Sequence, residues 1–230
     1  MYWKDTVEDS SRRSFLLGML GLALTGCAGG ASRLVYEDED YLIAQAEKVL
    51  KLGSEEPPPS HKLPAGLRPL PRSSWAPYPP IKKRLDHMSK IYRITVHHEG
   101  SDVNTHTSRW SVAADLQDIR RIHLKTMHAG DIGYHYIVDR AGRVWEGRPV
   151  CYQGAHCGGA SNIGNLGIMC LGNFDRQKPT TKQITALDRF LAYQMKVYSV
   201  PMKRVFTHRE FKPTRCPGKH LQYHMNGFRA

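Results

Sequence analysis

"YRITVHH" (residues 92–98) places Ile94 and Val96 on one face of an extended segment and ends in two adjacent histidines. Period-two alternation of branched apolar residues predicts a strand. The element it belongs to is read from its neighbours. "SVAADLQDIRRIHLKTMH" (111–128) repeats Leu116, Ile119, His123 and Met127 at helical intervals. "YHYIVDRAGRVWEGRP" (134–149) predicts two strands joined by a tight turn at Asp139 to Gly142. "LGIMCLGNF" (166–174) is a continuous apolar run, as expected of a central strand buried on both faces.

"TTKQITALDRFLAYQMKVYSVP" (180–201) spaces Thr180 and Gln183 as a capping box. It then repeats Ile184, Leu187, Leu191, Met195 and Tyr198, which predicts a helix ended by Pro201. "KRVFTH" (203–208) predicts a short last strand. Strands alternating with helices give an α/β fold, a mixed central sheet flanked by helices. No internal repeat is present.

Charge divides the chain. The whole carries a formal +12 at 40% hydrophobic residues, enough apolar matter for a core. Residues 1–27 are net neutral, 28–66 are net −3, and 67–230 are net +15. Eleven of the twelve histidines lie in the last part, so the chemistry is expected there. A basic domain suits an anionic partner, and nucleic acid, anionic lipid and acidic wall polymer all qualify on charge alone.

The first 27 residues read as an address. "SRRSFLLGMLGLALTGC" (11–27) pairs Arg12-Arg13 with the run Phe15 to Leu24, whose ten residues are too short to span a bilayer. The stretch resembles a twin-arginine export signal ending in a lipobox, which implies cleavage before Cys27 and lipid attachment to it. Export of this kind implies a bacterial source and a periplasmic location. Ala28 after the cysteine implies the outer membrane, by resemblance to Gram-negative lipoproteins. "DEDYLIAQAEKVLKLG" (38–53) predicts a short amphipathic helix and "SEEPPPSHKLP" (54–64) an extended spacer. The expected organisation is 1–27 signal, 28–66 helix and linker, and 67–230 the principal domain.

"VFTHREFKPTRCPG" (205–218) sets His208 and Cys216 eight residues apart. Cys216 could be a core residue, half of a disulfide, or a metal ligand. Zinc takes imidazole and thiolate, and a catalytic site supplies three protein ligands with one position left for water. His97, at the end of a strand, is the best third candidate, although the spacing alone is only moderately specific.

Five blocks in order carry a family resemblance. They are "RSSWAP" (72–77), "ITVHHEG" (94–100), "DIGYHYIVDRAGRVWEGRP" (131–149), "GAH" with "NIGNLGIMCLGNF" (154–156 and 162–174), and "THREFKPTRCPG" (207–218). Together, residues 72–220 resemble the zinc amidases that include peptidoglycan recognition proteins, phage lysozyme-type amidases and bacterial N-acetylmuramoyl-L-alanine amidases. The resemblance implies that family's fold and one zinc ion held by His97, His208 and Cys216. It implies cleavage of the amide between N-acetylmuramic acid and L-alanine of peptidoglycan. Tyr134 falls where the family has a tyrosine that assists catalysis. Thr214 falls where some members carry a catalytic lysine and the recognition branch a threonine. His156 is implied as a substrate-binding or supporting residue.

Other residues have plainer expectations. His98, His135 and Glu146 read as structural rather than catalytic. Trp75 and Trp110 could stack on sugar or pack in the core. Cys170 reads as core, and Cys151 and Cys157 could bridge or stay free. A binding module without catalysis is the alternative to an enzyme, and the retained cysteine and tyrosine argue for the enzyme. No nucleic-acid motif is present, so peptidoglycan and the membrane at Cys27 are the expected partners of a monomer.

Overall fold

The computed structural model describes Leu63 and residues 66–230. The signal expected at 1–27 with Cys27, the helix expected at 38–53 and nearly all of the spacer expected at 54–64 lie outside the described residues. Five strands form one sheet: β1 (Arg93–His98), β2 (Tyr136–Val138), β3 (Val144–Glu146), β4 (Asn165–Cys170) and β5 (Val205–Thr207). Their order is β3-β2-β4-β1-β5. β2, β4, β1 and β5 run parallel, and β3 turns back antiparallel to β2. The fully buried run β4 is the middle strand, as its unbroken apolar sequence requires.

Among the described residues, three α-helices flank the sheet: α1 (Arg109–Thr126), α2 (Thr181–Val197) and α3 (Lys219–Phe228). Alternation along the strands divides the core into two parts. Ile94, Val96, Leu166 and Ile168 pack with Leu187, Phe190 and Leu191 of α2 and with Leu221 and Met225 of α3. Ile137 and Met169 point the other way and pack with Val112 and Leu116 of α1 and with Trp75. His97 lies between Val96 and His98, so it emerges on the α1 side, away from α2 and α3.

Sequence and structure differ at several places. Only half of the expected capping box forms: Thr180 accepts from the Gln183 N–H. The Gln183 side chain is buried and instead donates to the carbonyls of Val138 and Leu171, tying α2 to β2 and β4. Helix α2 ends at Val197, before Pro201. Helix α3 was not expected at all. Its apolar positions Leu221, Met225 and Phe228 are few and lie among polar residues.

Candidate metal centre

In open α/β sheets, sites form beyond the carboxyl ends of parallel strands. His97 is the penultimate residue of β1, and His208 follows directly after β5. Pairing of β1 with β5 in parallel register brings these two histidines together, with ring centres 4.8 Å apart. Cys216 returns from the loop after β5 to the same edge.

The donor atoms of His97, His208 and Cys216 lie within 4.8 Å of one another. Cys216 Sγ is 3.6 Å from His97 Nδ1 and accepts the His98 backbone N–H at 3.4 Å. Nε2 of His208 is buried and has no hydrogen-bond partner. A buried imidazole nitrogen left unpaired is costly unless something occupies its lone pair. Burial pushes the Cys216 thiol up to about 12, while the His98 N–H acts in the opposite direction. A thiolate there needs a neighbouring cation. The orphan nitrogen, the sulfur and the mixed imidazole–thiolate donor set therefore fit a zinc-like ion.

The surrounding residues hold these donors in place. The Thr214 hydroxyl accepts the Cys216 N–H at 3.2 Å and so shapes the turn that presents the thiol. The His98 ring faces the opposite side of the sheet, where Nδ1 accepts the Phe174 N–H. His135 is also structural: Nδ1 accepts the Gly167 N–H and Nε2 donates to the Tyr152 carbonyl. Glu146 accepts the Arg72 N–H.

Tyr134 stands beside the donors, its ring centre 5.2 Å from that of His97. Burial raises its hydroxyl far above the usual phenol range, with Cys216 adding to the effect. At neutral pH it is a phenol, able to donate and unable to act as a base. The segment that carries it is anchored by Asp131, whose buried carboxylate accepts from Arg72 at 2.9 Å and Arg120 at 2.6 Å. Arg148 adds bonds to the carbonyls of Asp131 and Ile132.

His156 is buried on the α1 side of β1, with Nδ1 2.9 Å from Nε2 of His97. Its ring thus meets a candidate ligand. Of the two roles expected for Trp75, substrate stacking and core packing, its position fits packing. It is 2% exposed, sits in the α1-side core and donates its ring N–H to the Glu146 carbonyl, which leaves no face for a sugar. Trp110 is 88% exposed in the first turn of α1, so it packs in no core. Cys151, Cys157, Cys170 and Cys216 are all free, with Cys151 exposed and Cys157 buried against His97 and His156. Sequence reasoning missed this place for Cys157. Its adjacency to "GAH" was the one available signal.

Two histidines and a cysteine at the carboxyl ends of parallel strands, with the tyrosine that precedes β2 against them, form a candidate metal centre. The family model for N-acetylmuramoyl-L-alanine amidase matches residues 87–219, which include all four of these residues. The peptidoglycan-recognition protein SD of Drosophila melanogaster is 31% identical over 126 residues, covering 52% of this chain and 67% of that one. The solved ectodomain complex of peptidoglycan recognition proteins LCa and LCx, bound to tracheal cytotoxin, matches at 29% identity. Its TM-score is 0.59, over 66% of this chain and 90% of that one. N-acetylmuramoyl-L-alanine amidase LysC from Clostridium intestinale URNW matches at 26% identity and TM-score 0.53, over 65% of this chain and 92% of that one. The chain belongs to the N-acetylmuramoyl-L-alanine amidase family.

Proposed function

We propose that the protein is a zinc-dependent N-acetylmuramoyl-L-alanine amidase that releases the stem peptide from peptidoglycan or its muropeptides. The observation that carries this reading is the convergence of His97, His208 and Cys216 within 4.8 Å, with Tyr134 against them. A module that only bound peptidoglycan would have no need of an orphan buried imidazole nitrogen on a histidine clustered with a second histidine and a thiol. The family match and the tracheal cytotoxin bound by its relatives support the substrate class.

His97, His208 and Cys216 would hold the zinc. When bound, zinc polarises the scissile carbonyl and lowers the pKa of a water to about 7. Two neutral imidazoles and one thiolate leave such a centre at net +1, suited to an anionic transition state. Tyr134 stays protonated and donates its hydroxyl hydrogen to the oxygen on which negative charge develops. The His98 N–H holds the Cys216 sulfur, and Thr214 fixes the turn behind it rather than handling protons.

The pattern of residues 11–27 supports export by a twin-arginine route and lipid attachment at Cys27. We accordingly place residues 67–230 as a monomeric amidase domain on the periplasmic side, tethered to the outer membrane by residues 28–66. The net +15 of that domain favours an anionic wall polymer.

The test is mass spectrometry of a purified muropeptide incubated with the protein, with and without chelator. Separate sugar and a peptide with a free L-alanine amine, abolished by chelator and restored by zinc, are expected. An intact muropeptide that nevertheless binds the zinc-loaded protein would make this a recognition module.

A further inference from the structure

The ring of His156 is held more tightly than a packing residue requires. Its Nε2 lies 3.2 Å from the Asn165 carbonyl, which can only accept, so that nitrogen carries the proton. The lone pair is then on Nδ1, 2.9 Å from Nε2 of His97. The Cys157 thiol is 3.3 Å from the same Nδ1, but the shorter contact is from His97. With His97 donating from Nε2, the lone pair of its Nδ1 faces Cys216 Sγ at 3.6 Å. Two consecutive hydrogen bonds thus decide which nitrogen of His97 meets the donor cluster.

The backbone is shaped to keep the ring there. A Cβ on Gly167 would come 2.5 Å from the His156 ring, and one on Gly154 would come 2.4 Å from it. Asn162 Oδ1 accepts the N–H groups of both His156 and Cys157, at 3.0 and 2.8 Å, and fixes the loop.

We propose that His156 is a positioning residue that selects Nδ1 of His97 as the metal donor, with Gly154 and Gly167 as the clasp that aims its ring. The inference rests on the metal-centre reading above. Histidine ligands commonly hand their second N–H to a carboxylate, a carbonyl or water. A neutral imidazole in that place adds no negative charge and leaves the centre more electrophilic than a carboxylate would.

The test is the zinc dissociation constant of the full chain, by competition with a chromophoric chelator, together with the absorption spectrum of the cobalt-loaded protein. His156→Leu and Gly167→Ala are each expected to weaken zinc by about 10–100-fold and to alter the cobalt spectrum. His156→Asn can offer a carbonyl oxygen near the lost Nδ1 and is expected to recover most of the affinity, although it repacks the site as much as leucine does. Thermal melting of the metal-free variants separates these effects from general destabilisation. Cys157→Ala removes a thiol 3.3 Å from His156 Nδ1 and 3.7 Å from His97 Nε2 but leaves both imidazoles of the relay, so zinc affinity should fall far less than in His156→Leu. Equal affinity in wild type and His156→Leu, or equal losses in the leucine and asparagine variants, would overturn the proposal. A loss in Cys157→Ala as large as in His156→Leu would also overturn it, since His97, His156 and Cys157 would then form a metal seat of their own. Failure of the wild type to bind zinc would remove the metal centre itself, a result distinguishable from all of these.

Discussion

The backbone N–H of His98 donates to the sulfur of Cys216 across 3.4 Å, although 118 residues separate the two in sequence. It ties the loop after β5 to the end of β1 and aims the sulfur at His97. Burial opposes ionisation of that sulfur, so a thiolate exists there only with a cation beside it. Cys216→Ser is therefore expected to weaken zinc binding beyond the roughly 100-fold that marks the upper end for supporting residues. Chelator competition on purified protein measures it. Unchanged affinity would exclude Cys216 as a ligand.

In the proposed mechanism Tyr134 serves catalysis and not metal binding, its hydroxyl donating a hydrogen bond to the developing charge. Tyr134→Phe is expected to lower kcat by about 100- to 1000-fold, as removal of one such donor does elsewhere. Zinc affinity should stay at the wild-type value. Steady-state hydrolysis of a muropeptide, with zinc content measured on the same sample, reads both. Loss of zinc in this variant would make Tyr134 part of the metal scaffold instead.

Acid sensitivity follows from buried histidines away from the donor cluster. Burial lowers His123 and His135 to about 4 each, from an ordinary 6.5. In the unfolded chain both take protons as pH falls past 6.5, while the folded protein refuses them until near 4. The unfolded state then binds more protons, and stability falls. Their contribution is complete above pH 6.5 and is lost progressively down to about 4. Urea midpoints of the metal-free protein should decline across that window. His123→Gln, which can still accept the Gly133 N–H, should flatten the decline. A profile unchanged by the substitution would contradict the assignment.

Asp131 anchors the segment that bears Tyr134. Its carboxylate is fully buried between Arg72 and Arg120. Asp131→Ala leaves two guanidinium groups facing each other without an anion, at a cost of about 3–5 kcal/mol. Denaturant unfolding measures the loss. A change below about 1 kcal/mol would mean that the arginines find other partners.

Much of this molecule is legible in its sequence because the signals are local. β1 and β4 announce themselves by apolar runs, α2 by its cap and period, and the β2–β3 hairpin by its turn. His97, His208 and Cys216 were reachable through spacing and family resemblance. Contacts that depend on register were not. His97 and His156 meet across 59 residues only because β1 pairs with β4 and the loop of residues 154–157 folds over them. The Gln183 side chain looked like half of a cap, but burial of two strand-end carbonyls recruited it as a donor. Trp75 offered a stacking face in sequence and spent it on the core, because its ring N–H finds the Glu146 carbonyl there. Helix α3 escaped notice because a ten-residue helix needs few apolar positions when Phe174 and β5 lie beneath it.

The most direct measurement is the rate of muropeptide hydrolysis as zinc is added back to metal-stripped protein. The rate is expected to rise linearly and break at one zinc per chain, with no rise in Cys216→Ser. Full activity without metal, or none at one equivalent in the folded wild type, would contradict a zinc centre at His97, His208 and Cys216 as the seat of the reaction.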